Sequence, residues 1–330
     1  MIRRSHGHEL VLSLVLIGMI VVIGAINPAF LSLGNIFDLM KSSVVMGLLA
    51  IGVLFVLVSG GIDISFTAVA AFSMYVTCRI LVAADFSGSF LVAFVLAGFL
   101  GAGLGLVNAV FISWFRLPTL IVTLGTASLF RGFLLAFIGT AIINNLPPGL
   151  VRFSRWTILD QRLPSGETIG LSVSFFLLGL VAVSAWLFLR YTMAGRGIYA
   201  MGGNLEAAER SGFNLTGLRC LIYAVVGCLS GVAGIVHASM MRNANPFDLV
   251  GTELTVIAAV VLGGASITGG RGSVVGTLLG VGLMVAINNS LILLQIPSYW
   301  QRVAVGLILL VSTGVAASKR ATPERGVVGG

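Results

Sequence analysis

Long apolar runs, interrupted by glycine pairs, prolines and single charges, set the pattern of this chain. A helix needs about 20 apolar residues to cross roughly 30 Å of hydrocarbon. Ten runs approach that length, at 10–26, 44–58, 65–84, 90–115, 119–138, 170–189, 220–240, 253–268, 274–294 and 302–316. The second and eighth are short and end in glycine pairs. Because the runs are continuous rather than alternating, they predict helices and not the strands of a barrel. The expected architecture is an all-α polytopic membrane protein of roughly ten transmembrane helices. It forms a single domain over 1–330, with glycine-broken helices in its core.

Composition points the same way. Apolar residues make up 58% of the chain and charged residues 9%, with a mean hydropathy of +1.09. An ordinary soluble domain is about 45–50% apolar and about 25% charged, so too few charges are present to clothe a water-facing surface. The apolar run Leu10–Ile26 follows Arg3 and Arg4 in the manner of a secretory leader. It is too long for one and precedes no small-residue cleavage site, so it reads as a retained first helix. The cysteines Cys78, Cys220 and Cys228 lie in apolar segments without metal or redox spacing. The net charge of +8 does not indicate nucleic-acid binding, because the charge follows loop position.

With the N-terminus placed in the cytoplasm and the runs alternating, eleven of the Lys and Arg residues fall inside and seven outside, with Arg131 within a span. The segment 190–219 and both termini carry the inward excess that sets orientation in bacterial membranes. An even number of spans with both ends cytoplasmic satisfies this distribution. Two loops are long: 139–169, expected outside, and 190–219, expected inside.

The inner loop holds a local helix signal. Asn204 is a suitable N-cap, because its side-chain oxygen can accept from an orphan backbone N–H. Glu206 and Glu209 follow, Ala207 and Ala208 favour helix, and Ser211-Gly212 supplies a left-handed stop. A helix of about two turns flanked by glycines makes a compact, small-faced knob of the kind that enters a partner's groove.

Here the chain resembles a known family. Gly203-Asn204 followed by Ala207-Ala208 and Ser211-Gly212 is similar to the coupling-helix signature of ATP-binding-cassette (ABC) importer permeases, which makes these residues and Glu206 candidates for ATPase coupling. VSGGIDISFT (Val58 to Thr67), LPTLIVTLGT (Leu117 to Thr126) and VLGGASITGGRGS (Val261 to Ser273) resemble the ribose and autoinducer-2 branch of monosaccharide permeases, in the same order along the chain. Phe66-Thr67 depart from relatives, which often place a small residue or glycine there. The resemblance implies a binding-protein-dependent sugar importer of the bacterial inner membrane. It implies a second permease copy or paralogue, two cytoplasmic ATPase domains and a periplasmic sugar-binding protein. It further implies that ATP and magnesium belong to the partner subunit and that this chain binds no cofactor. The lysines agree: Lys41 follows Met40 and Lys319 follows Ser318, whereas a P-loop needs a lysine after glycine.

Polar residues within the spans give candidate gate and pathway positions. Gly60, Gly61, Ile64 and Ser65 match Gly263, Gly264, Ile267 and Thr268, which suggests an internal repeat of the kind transporters use. Paired glycines loosen a helix, and the freed backbone must face protein or water. Asp63, flanked by Ser59 and Ser65, organises a gate or inner vestibule, serves as a buried cap or ion pair, or contacts the substrate through its carboxylate. Ser266, Asn108, Thr123, Thr126, Asn288 and Asn289 are neutral groups suited to a solute with hydroxyls. Gly272, Gly276 and Gly280, Gly101 with Gly105, and Gly227 with Gly231 repeat at four-residue spacing, which predicts close helix packing. His237 reads as a satisfied core histidine. No convergent catalytic set is present, so the chain is not expected to be an enzyme. A secondary transporter driven by an ion gradient is the competing reading, weakened by the scarcity of intramembrane carboxylates.

Overall fold

A computed structural model of the chain describes residues 5–162, 168–297, 299–300, 303 and 306–307. The described chain is helical, as the apolar runs predict. Its helices are α1 (Ser5–Ile26), α2 (Leu33–Val58), α3 (Phe66–Ala83), α4 (Phe90–Trp114), α5 (Thr119–Phe133), α6 (Pro148–Arg155), α7 (Val173–Tyr191), α8 (Met193–Gly203), α9 (Leu205–Arg210), α10 (Leu215–Met241), α11 (Glu253–Leu262) and α12 (Val274–Leu293). A π turn, Leu134–Ile138, continues α5. Strands β1 (Thr157–Arg162) and β2 (Thr168–Ser172) form an antiparallel hairpin in the 139–169 loop.

Among the described residues, eight helices are long and apolar enough to span a membrane. Two expected runs differ. The second is longer than its apolar stretch, because the Ser32 side chain accepts from Asn35 N and starts α2 eleven residues earlier, before Asp38 and Lys41. The eighth is shorter, because Gly263 and Gly264 end α11 after ten residues. The tenth run, 302–316, lies largely outside the described residues, as do Arg3, Arg4, Lys319, Arg320 and Arg325.

Helix α2 is the axis of the molecule. Every residue from Gly47 to Val58 is buried, as expected of a helix that is apolar all round. Helices α3, α7, α10, α11 and α12 pack about it, while α1 presents most of its apolar surface outward. The glycine repeats predicted to pack do so, and two of them are halves of one crossing. A Cβ built on Gly101 would lie 2.0 Å from Gly227 O, and one on Gly231 would lie 2.0 Å from Ala97 O. Backbone thus touches backbone along α4 and α10. Gly276 and Gly280 pack in the same way on Gly263, the C-cap of α11, and on Ala259 within it, whereas Gly272 faces Leu54 and Val58 of α2.

Tertiary contacts sort the loops into two ends. Tyr75 Oη donates to Ala141 O (2.8 Å), Ser239 Oγ to Leu150 O (2.6 Å), and Ile143 bridges Ala244. At the opposite end of α10, α8 lies beside the turns after α2 and α11, and α9 packs against α8. The long loops 139–169 and 190–219 therefore stand at opposite ends of the molecule. His237 is satisfied as expected, its Nε2 lying 3.1 Å from Asp248 Oδ2.

Candidate gate and coupling segment

The turn between α2 and α3 begins as a Schellman cap. Gly60 N donates to Leu57 O and Gly61 N to Val56 O, both at 3.0 Å, with Gly60 at φ +86°. Such a cap closes the last carbonyls of a helix and needs a left-handed residue, which glycine adopts without penalty. The turn after α11 repeats the device: Gly264 N donates to Val261 O (2.9 Å) and Ala265 N to Val260 O (3.2 Å), with Gly264 at φ +92°. The two turns share a cap, but one residue out of register with the sequence match. Gly60 corresponds to Gly264 and Gly61 to Ala265, so Asp63 corresponds to Ile267 and has no polar counterpart.

Asp63 is buried and organises the start of α3. Its Oδ1 accepts from both Ser65 N and Ser65 Oγ at 2.7 Å, and Asn108 Nδ2 donates to Ser65 Oγ at 2.8 Å. Helix α5 holds the same turn from another side, with Ile62 N donating to Thr119 Oγ1 (3.1 Å) and Thr123 Oγ1 to Ile62 O (3.3 Å). Asp63, Ser65, Asn108 and Thr123 thus form one cluster whose donors are neutral, joining α3, α4 and α5. Asp63→Leu would strand two buried donors, which costs about 1–3 kcal/mol apiece. Lower thermal stability of the detergent-purified protein, with faster amide exchange at Ser65, is the expected result; Asp63→Asn keeps an acceptor and should be milder.

The remaining polar candidates lie elsewhere. Ser59 Oγ and Thr126 Oγ1 bond their own helices, at Val56 O and Val122 O. Ser266 Oγ and Thr268 Oγ1 pair at 2.9 Å in the second turn. Asn289 Nδ2 donates to Asn35 Oδ1 (2.9 Å) at the opposite end, with Asn288 on the same turn of α12. A link that the sequence did not reveal joins Thr67 Oγ1 to Glu253 Oε1 across 186 positions, tying α3 to the start of α11.

The inner loop holds the helix expected of it. Asn204 Oδ1 accepts from Ala207 N (2.9 Å), and α9 ends where Gly212 N reaches Glu209 O (2.9 Å) and Phe213 N reaches Ala208 O (3.2 Å). Gly203, Leu205, Glu206, Ala207, Glu209, Arg210, Ser211 and Gly212 are exposed. The two alanines differ: Ala207 points outward, whereas Ala208 is 2% exposed and packs into its own chain. Helix α8, directly before it, was hidden in the sequence by its four glycines.

The family model for "Branched-chain amino acid transport system / permease component" matches residues 35–313. The chain is 32% identical over 305 residues to a ribose import permease of Escherichia coli, covering 92% of each chain. A ribose import permease of Bacillus subtilis is 35% identical over 305 residues, covering 92% of this chain and 91% of the relative. This chain belongs to the ABC-importer permease family, in its monosaccharide branch. An autoinducer 2 import system permease of Salmonella typhi is 32% identical over 309 residues, covering 93% of this chain and 84% of the relative. No solved structure matches the permease. Its family and apolar helices make it a multi-pass protein of the bacterial inner membrane.

Proposed function

We propose that the permease is the membrane-spanning subunit of an importer that passes a small neutral sugar or sugar-like solute, delivered by a periplasmic binding protein and driven by ATP hydrolysis in separate cytoplasmic subunits. The observation that carries this reading is α9, a capped, exposed helix at one end of the molecule, in a chain similar along its length to ribose and autoinducer 2 import permeases. An exposed short helix with a small outward residue suits a groove in an ATPase subunit. The hairpin of β1 and β2 and the helix α6, at the other end, suit the arrival of a binding protein. Two copies of the permease, or one copy and a paralogue, would enclose the path. The cluster about Asp63 is held together by neutral hydrogen-bond donors, in keeping with a neutral solute.

The orientation has a direct check. Cysteine at Ala207 should be labelled by an impermeant thiol reagent only from the cytoplasm, and cysteine at Gln161, on β1, only from outside. Labelling of both from one side contradicts the assignment. The energy source has another. Reconstituted alone, the permease should neither hydrolyse ATP nor accumulate sugar along a proton or sodium gradient; with its ATPase and binding protein, it should accumulate sugar on addition of ATP. Gradient-driven uptake by the permease alone would establish a secondary transporter instead.

A further inference from the structure

We propose that Gly202, in the last turn of α8, is a positioning residue that transmits movement of α9 to both glycine turns. The inference rests on α9 being the ATPase-docking helix. Three backbone segments meet at Gly202 with no side chain between them. A Cβ on Gly202 would lie 1.9 Å from Val58 O, at the end of α2, and 2.6 Å from Gly270 N. A Cβ on Gly269 would lie 2.6 Å from Gly202 O and 2.8 Å from the Cα of Gly60.

Two hydrogen bonds close the junction. Gly270 N donates to Val58 O at 2.8 Å, and Tyr199 Oη, one turn back along α8, donates to Gly272 O at 2.8 Å. Burial raises the Tyr199 phenol above its ordinary pKa and so keeps it a donor. The end of α8, the 59–65 turn and the 263–273 turn are therefore welded. Close-packed backbone has little compliance and passes on a displacement that a flexible side chain would absorb. Only Asn204 separates α8 from α9, so a push on α9 arrives at Gly202 directly. From there one branch runs through Gly60 to Asp63, Ser65 and Asn108. The other runs through Gly270 to Ser273, which caps α12 by accepting from Gly276 N at 3.0 Å.

The test uses the permease assembled with its ATPase and binding protein. Gly202→Ala forces Val58 and Gly270 apart while leaving Asn204 and α9 intact. It should retain the ATPase subunit at the wild-type level, yet lose solute uptake by about tenfold or more, as expected when a conformational step is broken rather than binding. ATP hydrolysis should then continue without responding to the loaded binding protein. Tyr199→Phe, which adds no bulk, should give a smaller loss of the same kind. Gly103→Ala, at a glycine with nothing within 4 Å of its Cβ, should change nothing. Uptake by Gly202→Ala within about twofold of wild type overturns the proposal. If that variant does not reach the membrane, Tyr199→Phe decides: lost stimulation with the ATPase retained supports the weld, and unchanged stimulation overturns it. If the wild-type permease holds no ATPase, the docking reading fails by itself. Amide exchange then tests the weld separately, since Gly270 should be protected in wild type and exposed in Tyr199→Phe or Gly202→Ala; equal protection overturns it.

Discussion

Gly227→Leu is expected to leave almost no permease in the membrane. Gly227 lies where α10 crosses α4, and a Cβ there would sit 2.0 Å from Gly101 O and 3.2 Å from the Cα of Gly105. Even alanine must push the helices apart, and leucine adds three further carbons. In lipid, helices gain little from the hydrophobic effect and associate through close packing and small-residue interfaces. Separation at this point also disturbs the neighbouring contacts of Gly105 with Tyr223 and of Gly231 with Ala97. Overpacking costs about 1–3 kcal/mol for modest insertions in cores that can adjust, and two backbones in contact adjust poorly. The membrane-fraction yield and the thermal stability of the purified protein are the measurements. Gly103→Leu, on the same helix with open space at its Cβ, is expected to behave as wild type. A normal yield of Gly227→Leu would show that the α4–α10 contact is not needed.

The difference between those glycines also shows what the sequence could convey. Four-residue glycine spacing announces close packing, and Gly101, Gly105, Gly227 and Gly231 provide it. Spacing does not say which stripes meet, because partner choice is a tertiary matter; Gly101 finds Gly227 across 126 positions. The cap at Asn204 and the stop at Gly212 were legible because capping is local chemistry. Helix α8 was not, since Gly195, Gly197, Gly202 and Gly203 oppose helix formation locally and tertiary contact overrides them. The internal match of the glycine turns was visible but misplaced by one residue, because an alignment of letters cannot see which glycine takes positive φ. Among the polar candidates, the sequence had the types right for Asp63, Ser65, Asn108 and Thr123. Their assembly depends on α3, α4 and α5 meeting, which no local pattern encodes. The hairpin β1–β2 escaped notice because it is short and sits in a polar loop.

Ala207→Arg is the second change with a large expected effect. Ala207 is the small residue on the outer face of α9, whereas Ala208 is turned inward. Arginine at Ala208 would therefore disturb the loop's own packing and confound docking with folding. Arginine at Ala207 leaves the permease's core untouched, so insertion should be normal. In a groove shaped for a methyl group, the guanidinium would be buried without a partner, at a cost of several kcal/mol. Each ~1.4 kcal/mol is a factor of ten in affinity, enough to release the ATPase at ordinary expression levels. Glu206→Ala should be much milder, because Glu206 forms an exposed pair with Arg210 on the surface. The decisive measurement is co-purification of the ATPase with the Ala207→Arg permease, taken together with solute uptake by the same cells. Loss of both, with the permease present at its normal level in the membrane, is the result expected of a docking helix; retention of both would contradict it.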